Sequence, residues 1–357
     1  MKLPPLISVP LSWLYGMVVH IRHKLFDLKI LRSEEFDIPV VCIGNLTVGG
    51  TGKTPVAELL IERFSEHYRV GVLSRGYRRR TKGFVLSTPT SSARTIGDEP
   101  RQMKLKYPSV PVAVCEKRAE GSRLLRKAHP EIELIILDDA FQHRYVEPWV
   151  NILLMDYNNP VYRDRLLPWG RLRDTRNQIH RANFVLVTKC PDDLNPLDMR
   201  IVINSLGLFP YQSLYFTRMR QGEITPLFAD RAAGKVREGD PVIAMSGIAN
   251  PVPLLENLRK RFDVVAELTF DDHHTYRLSD MRRLEALFAA YPDAVVLTTE
   301  KDAVKLTNRK KVPEAVQQRL YYVPIHVSFV ADSESEFLRQ LELYVRTNQK
   351  YSLLHPE

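Results

Sequence analysis

Cysteine is scarce in this chain of 357 residues: only Cys42, Cys115 and Cys190 occur, far apart. No two share C-x-x-C spacing, so neither a zinc site nor a disulfide framework is expected. Each falls in or beside a strand-like run, where a thiol acts as small apolar filler in a reducing compartment. Long apolar runs are missing too. The strongest, "LSWLYGMVV" at residues 11–19, is too short to span a bilayer. No small-residue cleavage pattern follows it, so no secretory leader is expected. Internal repeats and low-complexity tracts are also lacking, which argues against a solenoid.

What is present is ordinary folding material with a basic excess. Hydrophobic content of 44% and charged content of 26% suit a globular chain. Its length exceeds what one core usually serves, so two domains are expected. A formal net charge of +9 favours an anionic partner: nucleic acid, anionic lipid or a phosphorylated substrate.

Leu14, Val18, Ile21, Leu25 and Leu28 recur at helical spacing. They predict one amphipathic helix from about Ser12 to Leu31, ended before Pro39. Trp13, Tyr15 and Phe26, with Arg22 and Lys24, suit a membrane surface. The same stripe also fits a helix packed on the protein's own core, and different faces can serve both.

Beyond it, strand and helix signals alternate. "PVVCIGN" (39–45), "YRVGVLS" (68–74), "PVAVC" (111–115), "LIILDD" (134–139), "NILLMD" (151–156) and "NFVLVTK" (183–189) read as strands. Several are apolar throughout rather than alternating, the mark of strands covered on both faces in a parallel sheet. A helix over about 54–67 carries Pro55 in its first turn, where no intrahelical N–H is needed. "LYFTRM" (214–219) and "GEITPLF" (222–228) predict a short ribbon. "PVIAMSGIANP" (241–251), "DVVAELTF" (263–270), "AVVLTT" (294–299) and "YYVPIHVSF" (321–329) then predict a second α/β unit, closed by a helix over 333–346.

The chemistry-bearing stretches sit at the strand ends. "GNLTVGGTGKTP" (44–55) matches the phosphate-binding pattern G-x-x-x-x-G-K-[ST] except at Thr47, where the leading glycine belongs. Gly49, Gly50 and Gly52 allow positive φ and close backbone approach, so N–H groups can converge on phosphate at a helix N-terminus. Thr47, Val48, Gly49, Gly50, Thr51, Gly52, Lys53 and Thr54 are therefore the expected nucleotide loop. Lys53 supplies charge for the β/γ phosphates and Thr54 a hydroxyl for Mg²⁺. The fold class is accordingly α/β, a P-loop NTPase-like doubly wound and mainly parallel sheet, with a second smaller α/β domain and an N-terminal amphipathic helix. The expected division is a membrane-surface helix at 1–35, a P-loop domain at 36–210, a linker ribbon at 211–235 and a smaller domain at 236–357 that closes over the cleft.

"ELIILDDAFQHR" (133–144) offers Asp138 and Asp139 for the metal, with the first-shell ligand left open between them; His143 can face substrate or be structural. "TIGDEP" (95–100) presents Asp98 and Glu99 as candidate base or metal ligand; spacing alone fits a turn or helix cap better. "FDDHHTY" (270–276) reads as a proton-handling site, with His273 expected to meet a carboxylate such as Asp98 across the cleft. Arg75, Arg118 and Arg173 stand near strand ends where phosphates would lie. "VLVTKCPDD" (185–193) is like the guanine-reading T-K-x-D pattern, but Pro191 stands where Asp is needed, which favours ATP over GTP.

Taken in order, "NLTVGGTGKTP", "LSRGY", "GDEP", "LDDAFQHR", "LLPWGRLRD", "VTKC", "SGIANP", "DHHTY" and "TEKDAVKL" resemble the tetraacyldisaccharide 4′-kinases, the lipid A 4′-kinases of Gram-negative bacteria, over nearly the whole chain. Ala140, where the family pattern has Gly, and Trp169, Gly170, Arg171 and Asp174 depart from it. The resemblance implies transfer of the ATP γ-phosphoryl to the 4′-hydroxyl of a tetraacylated glucosamine disaccharide 1-phosphate, with Mg²⁺. It implies Asp98 as base aided by His273, Lys53 on phosphate charge, and Thr54 with Asp138 or Asp139 on the metal. Arg75, Glu99, Arg118, His143 and Arg173 would contact substrate. It also implies work at the cytoplasmic face of the inner membrane, by a peripheral monomer with a lipid A precursor as partner and no nucleic acid. Two other readings compete: a P-loop GTPase or metallochaperone, and a non-catalytic binder of polyanions or anionic membrane.

Overall fold

The computed structural model of the protein describes residues 4–347. Its first element is α1 (Pro5–Asp27), followed by β1 (Val40–Asn45) and α2 (Lys53–Ser65). Then come β2 (Val70–Ser74), the short β3 (Val85–Leu86) and α3 (Ala93–Ile96), and α4 (Asp98–Lys106). β4 (Val112–Val114), α5 (Arg118–Ala128), β5 (Leu134–Leu137), β6 (Val150–Asp156), β7 (Phe184–Thr188), α6 (Pro196–Leu206) and β8 (Ser213–Gln221) continue the alternation. With β14 (Ile325–Phe329), these strands form one nine-stranded sheet in the order β14-β8-β7-β6-β1-β5-β2-β4-β3. β1 pairs in parallel with β5 on one side and β6 on the other. Residues of β1, β2, β5, β6 and β7 are buried throughout, because helices cover both faces. α2 and α11 (Glu334–Thr347) pack one face through Leu60, Phe64, Phe337 and Leu341. α5 and α6 pack the other through Leu125, Val202 and Leu206.

A second sheet holds β9 (Thr225–Pro226), β10 (Pro241–Ser246), β11 (Asp263–Thr269), β12 (Val295–Thr299) and β13 (Leu320–Val323), in the order β11-β10-β12-β13-β9. It is parallel except for β9. The helices α7 (Val252–Arg261), α8 (Leu278–Ala290), α9 (Glu300–Ala303) and α10 (Glu314–Gln317) accompany it.

Three sequence expectations are corrected. The ribbon over 211–235 does not form: β8 joins the large sheet beside β7, and β9 joins the small one beside β13. Residues 236–357 are not one unit either. After β13 the chain crosses back, β14 pairs antiparallel with β8, and Phe337, Leu341 and Val345 of α11 enter the large core. The apolar stripe of α11 needs a broad sheet face to bury it, and the β6–β8 face supplies one. Lastly, α1 begins near Pro5 instead of Ser12 and ends at Asp27, where Lys29 turns left-handed at φ +57°. Proline is tolerated at its first position, and Pro10 costs one backbone hydrogen bond in the second turn.

The orientation of α1 is also the reverse of a core-packed helix. Its buried residues are Ser8, Ser12, His23 and Phe26. Leu6, Leu11, Trp13, Leu14, Met17, Val18 and Ile21 are exposed, Trp13 at 77%. No helix of the described residues is long and apolar enough to cross a membrane.

Candidate active site

β1 delivers the chain to Asn45, and the loop that follows enters α2 at Lys53. Gly49 (φ +108°) and Gly52 (φ +82°) occupy left-handed conformations that other residues adopt only at a cost. Thr47 is buried and bridges Leu172, while Val48 N–H donates to Arg171 O at 2.8 Å. Thr47 therefore sets the first turn by pairing with the 171–173 segment. On the other flank, Thr188 Oγ1 donates to Thr51 O at 2.8 Å, and Lys189 Nζ donates to Gly50 O and, at 2.9 Å, to Asp156.

The β1–β5 register (Cys42 opposite Leu137) carries Asp138 and Asp139 to the same sheet edge as the loop. Lys53 Nζ lies 3.4 Å from Asn45 Oδ1 and 3.7 Å from Asp139 Oδ1. The Arg173 guanidinium binds both oxygens of Asp139 and also Asn45. Burial raises the Asp139 carboxyl, but Lys53, Arg173 and Arg118 outweigh it and hold the group well below the usual carboxylate range. Asp138 is placed differently. Ser74 Oγ donates to its Oδ2 at 3.0 Å, while its buried Oδ1 has no partner. Burial, then the charge of Asp139, push it up to about 6.

Arg118 departs from expectation. It is 1% exposed and donates to the carbonyls of Cys115, Glu116 and Asp139, a buried cation behind the carboxylates. His143 is partly buried with an unpartnered Nδ1; burial and then Arg118 lower it to about 4, so the ring is neutral near pH 7. Arg75 projects into solvent.

Asp98 is the first residue of α4, not part of a loop, and Gly97 before it has φ +95°. A Cβ at Gly97 would lie 3.2 Å from the backbone of Gly76, so two glycines let the "SRGY" turn approach α4. From the second sheet, His273 Nδ1 comes within 2.9 Å of Asp98 Oδ2. His274 instead meets Asp280 at 2.9 Å. Lys305 Nζ lies 3.8 Å from Asp98 and 3.0 Å from buried Asp302, and Lys301 Nζ lies 3.3 Å from His273 Nε2 and 3.9 Å from Glu99. Burial pulls Asp98 up, but the His273 hydrogen bond and the Lys305, His273 and Lys301 charges hold it below its ordinary value. The charge of Glu99, next to Asp98 in α4, adds to the raising of Asp138 after burial and Asp139.

The sequence reading assigned no role to Lys301, Lys305 or Asn45. The two lysines lie in "TEKDAVKL", quoted for the resemblance alone; Asn45 stands at the loop's first turn, and a polar side chain closing an apolar strand was its available signal.

The same chain matches the family model described as tetraacyldisaccharide-1-P 4′-kinase over residues 5–344. A tetraacyldisaccharide 4′-kinase of Bacteroides thetaiotaomicron is 44% identical over 356 residues, covering 96% of this chain and 94% of its own length. One of Porphyromonas gingivalis is 43% identical, covering 93% of this chain and 95% of its own. A crystal structure of LpxK from Aquifex aeolicus in complex with ATP superposes with a TM-score of 0.73 at 26% identity, covering 94% of this chain and 98% of that one. The sequence match spans both sheets and the loop between β1 and α2, and the chain belongs to the tetraacyldisaccharide 4′-kinase family.

Proposed function

We propose that this protein transfers the γ-phosphoryl group of ATP to the 4′-hydroxyl of a tetraacylated glucosamine disaccharide 1-phosphate. The observation that carries the reading is the Asp98–His273 contact in a chain that also forms the Lys53–Asp139 edge. A kinase must take a proton from its acceptor hydroxyl, and this pair is built for proton transfer. Asp98 was the expected base. It is held ionised by the His273 hydrogen bond and the lysine charges around it. We assign the hydroxyl proton to this pair, with Asp98 as the base and His273 aiding it.

The loop residues 47–54 cradle the triphosphate, with Lys53 on the β/γ phosphates. Arg173, which shares Asp139 and Asn45 with Lys53, steadies the transferred group. Mg²⁺ fits the donor set: the unpartnered, buried Asp138 Oδ1 and the Thr54 hydroxyl are the ligands we assign, while Asp139 is committed to Lys53 and Arg173. When bound, the ion neutralises charge developing on the phosphoryl oxygens. With so few side-chain ligands, the ion would be completed by phosphate and water. Asp192 stands one residue late for guanine reading, which favours adenine.

The acceptor is an anionic lipid, and the exposed apolar face of α1 suits it. A groove of about 950 Å³ runs between α1 and residues 164–176, lined by Trp13, Met17, Leu166 and Trp169, with Arg165 and Arg176 at its polar side. A helix lying in the interface, backed by basic groups, would bring the enzyme to its substrate at the cytoplasmic face of the inner membrane.

The test is incubation with γ-labelled ATP and the lipid A disaccharide precursor in detergent. Label is expected in the lipid at its 4′ position. Release of all label as inorganic phosphate, while a control kinase labels the same lipid, would sink the proposal and favour a hydrolase.

A further inference from the structure

The inward face of α1 makes more polar contacts to the catalytic loops than an anchor needs. Ser12 Oγ donates to Leu166 O at 2.9 Å, and Tyr15 Oη donates to Arg173 O at 2.7 Å. His23 Nε2 lies 2.6 Å from Asp174 Oδ1, with both side chains buried. The Arg22 guanidinium donates to Gln142 O at 3.1 Å. Arg144 returns the grip, donating to His23 O at 3.2 Å and Asp27 at 2.8 Å. The helix thus holds two segments, 138–144 and 166–174, and these meet in the Asp139–Arg173 pair.

Arg173 is the pivot of that arrangement. Its guanidinium engages Asp139 and Asn45. Its own carbonyl is held by Tyr15, and the next side chain by His23. The residue before it, Leu172, bridges Thr47 of the nucleotide loop. Backbone fixed on both sides of a residue limits where its side chain can swing. Asp174 thus has a buried partner supplied by α1.

We propose that Tyr15 and His23 are positioning residues for Arg173, so that the helix meeting the lipid surface also sets the geometry of phosphoryl transfer. The proposal rests on the reading that Arg173 serves the transferring phosphate. It makes α1 contribute to turnover as well as to capture of the lipid.

The test compares Tyr15→Phe, His23→Ala, His23→Gln and Arg173→Ala in the full chain. It measures kcat, KM for ATP and for the lipid acceptor in detergent, and the thermal unfolding midpoint. Tyr15→Phe and His23→Ala are expected to lower kcat by roughly tenfold or more, since small misplacements of a positioned group are costly. KM for the acceptor should change little. His23→Gln, whose amide N–H can still reach Asp174, should recover most of the rate. Adding Tyr15→Phe to Arg173→Ala should lower kcat no further, because both act through one group. If Arg173→Ala is impaired but the helix variants alter only acceptor KM or only the unfolding midpoint, α1 is an anchor and the proposal falls. Full kcat in Arg173→Ala would remove the site reading itself, and the proposal with it.

Discussion

His273 Nδ1 lies 2.9 Å from Asp98 Oδ2, although 175 residues separate them and Asp98 opens α4 while His273 follows β11 of the second sheet. The pair exists only while the second sheet is seated against α4. If it works as a unit, Asp98→Ala and His273→Ala should each lower kcat by roughly a hundred- to ten-thousandfold. The double variant should be little worse than the poorer single one. Steady-state kinetics on the lipid acceptor checks this; losses that multiply would mean independent roles.

Asp138 and Asp139 predict opposite responses to neutralisation. Asp138 is a buried carboxylate beside a second one, with one oxygen unpartnered. Asp138→Asn should raise the unfolding temperature of the metal-free protein while abolishing most kinase activity. Asp139→Asn should lower that temperature, because Lys53 and Arg173 lose their shared partner. Calorimetry with chelator present reads both signs.

Glu58 of α2 links three elements. Gln102 Nε2 and Lys106 Nζ donate to it at 2.8 and 2.7 Å, and Lys106 also lies 3.6 Å from Glu300 of the second unit. Burial, then the Glu300 charge, raise Glu58 from 4.5 to about 7. Across that window the unfolded chain gives up this proton while the folded one keeps it, so the stability Glu58 contributes is lost as pH rises and levels off above about 7. Glu58→Gln should therefore gain on the parent protein between about pH 5 and about pH 8. Unfolding midpoints across that range decide it; a constant difference would refute the assignment.

Phe337 tests whether α11 belongs to the large sheet. It is fully buried, with ring centroids 5.5 Å from Phe184, 5.3 Å from Tyr215 and 5.0 Å from Phe329. Phe337→Ala should cost about 3–5 kcal/mol in the unfolding of the sheet that carries the nucleotide loop. A loss confined to a separate transition of the second unit would contradict the packing.

Much of this protein was legible along the chain. Continuous apolar runs announce strands covered on both faces, and a glycine-rich turn between strand and helix announces a phosphate site, because both signals are local. Tertiary structure decided the rest. The sequence places Arg118 and Arg173 alike near strand ends, yet Arg118 opens α5 buried behind the carboxylates, while Arg173, between β6 and β7, pairs with Asp139. Of two adjacent carboxylates, one meets fixed cations and the other keeps an unpartnered oxygen. The helical stripe of α1 gave its period but not which face turns inward, and the polar one does. Local pattern fixes what a segment can bury; which neighbour covers it, and so where its charges end, depends on pairings between residues far apart in sequence, such as β14 with β8 and His273 with Asp98.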